Sequence, residues 1–232
     1  MAALTLVTIT VTSAACGGRE TGAGKAVARR AEQARAVARR AGLSSAVQDF
    51  VALYATAPAA RMSVTYAAGP SGAQRIRVDQ YPPRRRTDLS SAGDSAVRSL
   101  FETPSGTFSC VRAEGTWTCD RNDRGTTGVG VGALDAGDIN RTVATLMSSR
   151  SEYDFRVGRR NLVGRQATCL ITTPRPGSTT AIARATSLCV SGQGTPLLIE
   201  RSGESLRAVR YSNHVDRSRF NLPSRPRDEG QE

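Results

Sequence analysis

Lysine, histidine and aromatic side chains are scarce in this chain of 232 residues. Lys25 is the only lysine among 32 basic residues, so arginine carries almost all of the net charge of +12, and aromatic residues make up only 5%. The single histidine, His214, rules out a zinc site with two histidine ligands. Unbroken apolar runs of about 18 residues are also lacking, which excludes a multi-pass membrane protein.

The chain begins with a short apolar segment that ends at a cysteine. Residues 2–15 are mostly small or aliphatic, the pattern of an export signal, and Ala14 and Ala15 stand directly before Cys16. This arrangement resembles the lipobox of bacterial lipoproteins, in which small residues admit the signal peptidase and the cysteine thiol receives a diacylglycerol. The resemblance implies a signal peptide over 1–15 and a palmitate-bearing Cys16 that anchors the protein on the extracytoplasmic face of the cell membrane.

The same segment admits a second interpretation. Thr and Val alternate over residues 5–12, as in a buried β-strand, and Cys16 would then be a free thiol. No Lys or Arg precedes the apolar run, which leaves open whether the start codon lies upstream of Met1.

The other four cysteines are expected to form two disulfides. They are Cys110, Cys119, Cys169 and Cys189. Of the three possible connectivities, the sequence favours 110–119 and 169–189. If Glu114-Gly115 is the turn of a hairpin, Cys110 lies opposite Cys119 at a non-hydrogen-bonded position that suits a disulfide. Disulfides indicate an oxidising compartment. The alternative is a four-cysteine metal site, but no Cys-x-x-Cys spacing supports it, so we expect neither metal nor cofactor.

Residues 16–42 are predicted to form a basic tether. Seven basic and two acidic residues give this stretch a charge of +5, and the motif AVARRA occurs at both 26–31 and 36–41. Ala and Arg favour helix, but Val27 and Val37 are the only sizeable apolar groups, so we expect no face to be buried against a core. Beside a lipid anchor the tether would lie on anionic headgroups or serve as a solvated spacer. We expect no nucleic-acid partner, because the protein is predicted to lie outside the cell and no aromatic residues stand between the basic residues of the tether.

A folded domain is predicted over 43–220, followed by a disordered tail at 221–232. It opens with an amphipathic helix that starts at Leu43 and is stopped by Pro58, and a second helix is predicted at 135–148. The remaining segments alternate apolar and polar residues between turns rich in Gly and Pro. The predicted class is α+β, with an antiparallel sheet of about 8–11 strands covered by one or two helices.

Several turn-centred motifs of this domain resemble the lipoprotein-carrier superfamily (LolA/LppX-like) and its small lipoproteins from high-GC bacteria. The resemblance covers about residues 43–215. The motifs are Gln80-Tyr81-Pro82-Pro83-Arg84 with Asp88, the hairpin between Cys110 and Cys119, Gly164-Arg165-x-Ala167-x-Cys169, and Leu188-Cys189 with Gly194-x-Pro196-Leu197. The resemblance implies a half-barrel, in which a curved antiparallel sheet wraps around helices and encloses an apolar cavity for an acyl chain or another lipophile.

We therefore predict a membrane-anchored extracytoplasmic lipoprotein that binds or carries a lipophilic ligand. Val64, Tyr66, Ile76 and Phe108 are the candidate lining residues of its cavity. The alternative is a non-catalytic interaction or sensor module of the cell envelope, with a filled core and an unknown protein partner. A cavity of several hundred Å³ would favour the carrier, on the order of known ligand pockets, and a close-packed interior would favour the module.

Three further clusters match no catalytic motif, and we expect no enzyme. His214 and Asp216 lack the Gly-x-Ser-x-Gly elbow of a hydrolase, so a histidine on the surface at a strand end is expected. The glycines of 125–132 lack the Gly-Lys-Ser/Thr ending of a phosphate loop, and a surface loop is expected there. The Arg84-Arg85-Arg86 cluster could bind a phosphate or an acidic partner, but charge protecting a solvated strand edge is the favoured interpretation.

Overall fold

The computed structural model describes residues 22–69, 72–91, 93, 96–122, 138–177, 186–201 and 204–227. In these ranges there are three α-helices: α1 (Gly22–Arg40), α2 (Ser45–Tyr54) and α3 (Ile139–Ser149). The strands are β1 (Met62–Ala68), β2 (Gln74–Tyr81), β3 (Arg84–Ser91), β4 (Val97–Thr103), β5 (Gly106–Ala113), β6 (Thr116–Arg121), β7 (Tyr153–Leu162), β8 (Arg165–Pro174), β9 (Thr186–Val190), β10 (Pro196–Arg201), β11 (Glu204–Ser212) and β12 (Pro226–Arg227). Two short 3₁₀ turns lie at Ala57–Ala59 and Arg217–Phe220.

All twelve strands belong to one curved, unclosed sheet in the order β12-β6-β5-β4-β3-β2-β1-β11-β10-β9-β8-β7. Two meanders, β1 to β6 and β7 to β11, are joined where β1 pairs with β11. Every pairing is antiparallel except that of β12 with β6. The predicted α+β class, a half-barrel covered by helices, is confirmed, and the two-residue β12 takes the strand count one beyond the expected range.

The two faces of the sheet can be distinguished from the strand register. Val64 pairs with Val78, and Met62 pairs with Gln80, so these side chains share one face. On that face the Gln80 side chain donates through Nε2 to the carbonyl oxygens of Ala57 and Ala60, at 2.7 and 2.8 Å. The segment that follows α2 therefore lies on this face. We call it the helix side and the opposite face the outer side.

Helix α1 packs against α2, which corrects the expectation that residues 16–42 bury no face. Ala34 and Ala38 are only 1% and 0% exposed, within a core cluster to which α2 and α3 also contribute. Arg35 adds an ion pair from Nε to Oδ1 of Asp49 at 3.0 Å. Alanines four residues apart lie on one side of a helix and let its backbone approach a neighbour closely, so large apolar side chains are not needed.

The three helices cover the helix side at one end of the sheet. Leu170 of β8 and Val190 of β9 pack with them, as does Leu146 of α3. The helix predicted over 135–148 is α3, which begins at Ile139. At its start the Asp138 side chain accepts a hydrogen bond from the Arg141 amide. Residues 135–137 lie outside the described ranges.

The C-terminal segment returns along the outer side, where a disordered tail was expected from residue 221. Phe220 is buried, Leu222 packs against the cluster that contains Phe101 and Phe108, and Pro226 and Arg227 pair with β6. The expectation of disorder is wrong for 221–227, because Leu222 supplies an apolar anchor and β6 offers an unpaired strand edge. Residues 228–232 lie outside the described part.

Candidate functional site

The structure brings together three of the four predicted cavity residues and separates the fourth. Val64, Tyr66 and Ile76 lie side by side on the helix side and are 0%, 2% and 5% exposed. Register places Phe108 on the outer side, because Ser109, its neighbour in β5, continues the row that starts at Val64. The four residues therefore cannot line one cavity, and the prediction is corrected for Phe108.

Around Tyr66 the interior is filled by side chains. The buried Tyr66 hydroxyl donates to the carbonyl oxygen of Pro196 at 2.8 Å, which links β1 to β10. Burial of this phenol raises the pKa of Tyr66 well above its ordinary value. Val64, Ile76 and Leu197 belong to the same cluster of buried residues.

Beyond this filled region an apolar stripe crosses the helix side. Ile76 lies directly opposite Leu89 in β3, Leu100 in β4 is the diagonal neighbour of Leu89, and Val111 in β5 is the diagonal neighbour of Leu100. Leu89 and Leu100 are partly buried, and Val111 is 37% exposed. Among the described residues these three belong to none of the core clusters. The apolar stripe thus extends the core outward onto a half-covered surface.

Charged side chains flank the apolar stripe. Arg98 lies opposite both Leu89 and Val111 and is exposed. Arg85 is on the same face, with its Nε 3.8 Å from Oε2 of Glu102. The stripe is therefore an apolar surface with cationic groups at its sides, a combination that suits an amphipathic molecule.

The Arg84-Arg85-Arg86 cluster does not form the solvated edge that was expected. Arg85 lies on the helix side, and Arg84 and Arg86 lie on the outer side. β3 pairs with β2 and β4, and Arg86 is only 8% exposed. Its Nε donates to Oδ1 of Asp88 at 2.6 Å, and its Nη1 donates to the carbonyl oxygen of Arg219 at 3.0 Å. The interpretation as a charged edge is wrong for Arg86, because the returning C-terminal segment covers it.

Asp79 is the most deeply buried carboxylate of this network, at 1% exposure. Its Oδ2 lies 3.0 Å from Nε of Arg77 and 3.1 Å from Nε of Arg219. Arg219 also donates to Asp88. Burial acts to lower the pKa of Arg219, but the charges and hydrogen bonds of Asp88 and Asp79 outweigh it, so the pKa is raised. The network fastens the C-terminal segment to β2 and β3.

Two hollows on the surface meet at Tyr211, near the end of β11. The larger, about 440 Å³, is lined by residues of β1 and β11, among them Ser63, Thr65 and Val209, and by Val163 of the β7–β8 turn. The smaller, about 290 Å³, lies between the β7–β8 and β9–β10 turns. The Arg165 guanidinium lies 4.6 Å from the centre of the Tyr211 ring, and the Tyr211 hydroxyl donates to Oε1 of Gln193 at 3.3 Å. None of the four predicted cavity residues lines either hollow.

Both favoured disulfides are present. Cys110 faces Cys119 across β5 and β6, and Cys169 faces Cys189 across β8 and β9, with Cα atoms 4.0 and 3.9 Å apart. The turn of the first hairpin is Glu114-Gly115, as counted from the sequence, with positive φ at both residues.

The remaining sequence candidates fall in several places. His214 is exposed just after β11, as expected for a histidine at a strand end. The lipidation candidate Cys16 and the glycines of 125–132 lie outside the described residues. In the part of the chain that the structure describes, no helix is long and apolar enough to cross a membrane, and no group of three His, Cys, Asp or Glu side chains is placed to hold a metal ion.

Comparison with known proteins adds little to this description. No protein-family model matches the chain, and no curated protein is significantly similar to it. One similar solved structure is described as an outer membrane lipoprotein-sorting protein domain from Vibrio parahaemolyticus. It is 11% identical, the match covers 82% of this chain and 97% of that one, and the TM-score is 0.20. A likeness this weak carries no argument, so the half-barrel class rests on the strand order of the protein itself.

Proposed function

We propose that this protein is an extracytoplasmic lipoprotein that binds a lipophilic molecule on the helix side of its half-barrel. The observation that carries the proposal is the apolar stripe Leu89–Leu100–Val111. It starts beside the buried Ile76 and crosses three strands, yet its three residues belong to none of the core clusters of described residues. Covering such a surface releases about 25 cal/mol per Å² of apolar area. Arg98 beside the stripe would favour an anionic or polar headgroup.

The proposed extracytoplasmic localisation rests on the N-terminal segment and on the cysteines. Cys16 would carry a diacylglycerol, and two acyl chains are enough for stable attachment to a membrane. Two disulfides fit an oxidising compartment outside the cytoplasm. The exposed arginines of α1, among them Arg29, Arg39 and Arg40, would then contact anionic headgroups. No catalytic step is part of this proposal.

The second candidate is a non-catalytic interaction or sensor module of the cell envelope. The filled interior around Val64, Tyr66 and Ile76 favours it, because a carrier needs room for its cargo. In that case the apolar stripe would be covered by a protein partner rather than by a lipophile.

Native mass spectrometry distinguishes the two candidates. The full chain is purified from an oxidising host, measured intact, and then extracted with organic solvent. A carrier retains a noncovalent lipophile in stoichiometric amount, which leaves on denaturation, unlike acyl chains bonded to Cys16. A protein that is empty under these conditions would contradict lipophile binding and favour the interaction module.

A matched pair of variants locates the ligand. Val111→Asn removes an apolar group from the stripe, and Val209→Asn removes a valine of similar exposure, 44% against 37%, from β11. We expect Val111→Asn and Leu100→Asn to reduce the bound lipophile and Val209→Asn to leave it unchanged. Equal retention in all three variants would refute the stripe as the binding surface.

A further inference from the structure

The outer side of the central strands carries three arginines that make no ion pair within the described part of the chain. Arg75 and Arg207 flank Ala67 of β1 on its two neighbouring strands, and Arg210 lies beside Thr65. Strands are about 4.8 Å apart, so Arg75 and Arg207 start about 10 Å from each other. All three arginines are exposed, and none makes an ion pair or side-chain hydrogen bond with the described residues. They form a regular cationic surface.

One of these arginines, Arg210, lines the larger of the two hollows at Tyr211. In the larger one, Ser63, Thr65 and Ser212 line the wall together with Arg210. The Ser63 hydroxyl accepts from Arg77 and the Ser212 hydroxyl from the His214 amide, and each can still donate. In the smaller one, amide side chains stand beside Arg165, namely those of Gln166, Gln193 and Asn213. Each hollow therefore includes neutral polar side chains and one arginine. Tyr211 lines both hollows, but it lies opposite Val64 and so belongs to the helix side, where it packs against the core.

The backbone is irregular at two points on the wall of the larger hollow. Thr65 pairs with Arg210 and Tyr66 with Ala208, which leaves Val209 as the extra residue of a bulge. Val163, in the β7–β8 turn, has a φ of +46°, a left-handed conformation that β-branched residues rarely adopt. Bulges and strained residues concentrate at binding and active sites, where they direct side chains. Both irregularities line this hollow.

We propose that this outer surface binds an anionic glycan, a sugar polymer with carboxylate or phosphate groups. Arg75, Arg207 and Arg210 would pair with its repeated charges, because guanidinium groups bind such oxyanions in a bidentate manner. The hydroxyl and amide groups of the hollows match the hydroxyl groups of sugars. A bilayer surface, being flat, would contact the protruding arginines but leave the hollows unused. The three arginines lie on the opposite face from the apolar stripe, so the proposal does not depend on lipophile binding.

Calorimetric titration of the full chain with oligogalacturonate, a carboxylated sugar polymer, tests the proposal. The methyl-esterified oligomer supplies the same sugar without charge, and inorganic polyphosphate supplies charge without sugar. We expect oligogalacturonate to bind more tightly than either, with an affinity that falls as salt rises. If it binds no more tightly than polyphosphate, or does not bind, the proposal is overturned.

Two triple variants, each of which removes three positive charges, distinguish binding at this surface from general electrostatic attraction to the basic protein. Arg75→Gln/Arg207→Gln/Arg210→Gln should weaken binding about tenfold, since each exposed charge pair contributes modestly. The control triple changes Arg29, Arg39 and Arg40 of α1, which are also exposed, to Gln and should change affinity less than about twofold. Equal losses in both triples would refute a defined site.

A variant that preserves charge tests the hollows. Tyr211→Ala should weaken oligogalacturonate binding and leave any polyphosphate binding unchanged, and its thermal unfolding reports whether the fold is retained. Unchanged glycan affinity in a folded Tyr211→Ala protein would overturn the role of the hollows. The outer-side triple variant also tests a membrane role. If the native chain binds phosphatidylglycerol vesicles but no glycan, and the triple variant loses the vesicle binding, the arginines belong to a membrane-binding surface instead.

Discussion

Gly194 lies against the end of α2 so closely that a Cβ atom there would be 2.2 Å from the carbonyl oxygen of Leu53. The same carbonyl accepts a hydrogen bond from the Thr56 hydroxyl at 2.7 Å. Gly194 also has a φ of +76°, in the left-handed region. The β9–β10 turn is thus fixed beneath the end of α2, and glycine is required there for space as well as for conformation.

Replacing this glycine should cost more than replacing one whose requirement is conformational alone. Gly164 has a φ of +71°, and a Cβ atom there would point into open space. We expect Gly164→Ala to lower the free energy of unfolding by about 1–2 kcal/mol, and Gly194→Ala to lower it by more than about 3 kcal/mol, because α2 must shift. Urea unfolding measures both. Equal losses would show that the turn can move away from α2 freely.

The Asp79–Arg219 contact should hold the C-terminal segment on the sheet. Arg219→Ala removes one of the two arginines that contact the buried Asp79 carboxylate, while Arg77 remains. We expect a loss of about 1–3 kcal/mol and faster hydrogen exchange over residues 217–227. Arg225→Ala is the control, since Arg225 is exposed in the same segment. If both variants lose the same stability and show the same hydrogen exchange, the ion-pair network does not hold the C-terminal segment on the sheet.

Tyr66 should make the protein sensitive to alkaline pH. Its pKa is raised by burial in the folded state, whereas an unfolded tyrosine ionises near pH 10. A raised folded pKa contributes stability below the unfolded pKa, and that contribution is lost as pH rises above it. When the pH is raised from 8 to 11, we expect the free energy of unfolding of Tyr66→Phe to fall by about 1.4 kcal/mol less than that of the native chain.

At pH 8 the same substitution should cost about 1 kcal/mol, because the hydrogen bond to Pro196 is lost. Chemical unfolding at the two pH values measures both effects on one pair of proteins. Parallel pH profiles for the native chain and Tyr66→Phe would mean that Tyr66 is not the group responsible.

The two disulfides should stabilise the protein unequally. Cys110–Cys119 closes a separation of 9 residues and Cys169–Cys189 one of 20. From the entropy of loop closure, we expect Cys110→Ala/Cys119→Ala to cost about 2–3 kcal/mol and Cys169→Ala/Cys189→Ala about 3–4 kcal/mol. Urea midpoints compare the pairs. A larger loss in the shorter loop would show that packing, not loop length, sets the order.

Cys16→Ala should release the protein from membranes or leave an unprocessed precursor. The expected cause is the loss of the two acyl chains, which together give stable attachment. Fractionation with intact-mass measurement distinguishes released from precursor forms. Unchanged membrane retention of the variant would defeat the lipobox prediction.

Local features of the fold could be predicted from the sequence, and distant ones could not. The β5–β6 register followed from counting outward from Glu114-Gly115, because turn chemistry fixes a hairpin locally. The packing of α1 was missed, although Ala34 and Ala38 at helical spacing were a usable signal. The pairing of β1 with β11 joins segments far apart in the chain, and no local pattern specifies it.

The candidate sites show the same division. Burial of Val64, Tyr66 and Ile76 could be predicted, since it follows from alternation within single strands. The face on which Phe108 lies depends on the register of every intervening strand pair, and one uncertain turn reverses it. The burial of Arg86 depends on Arg219, which returns to it only near the end of the chain.

The junction of the two meanders has a consequence for how the protein is made. β1 is complete by residue 68, but its partner β11 begins at residue 204. Contacts between such distant segments form slowly. Until β11 arrives, β1 is a bare strand edge that can pair with another copy of the chain. Newly synthesised chains are thus open to self-association until the final strands emerge, and a truncation before residue 204 would leave them so permanently.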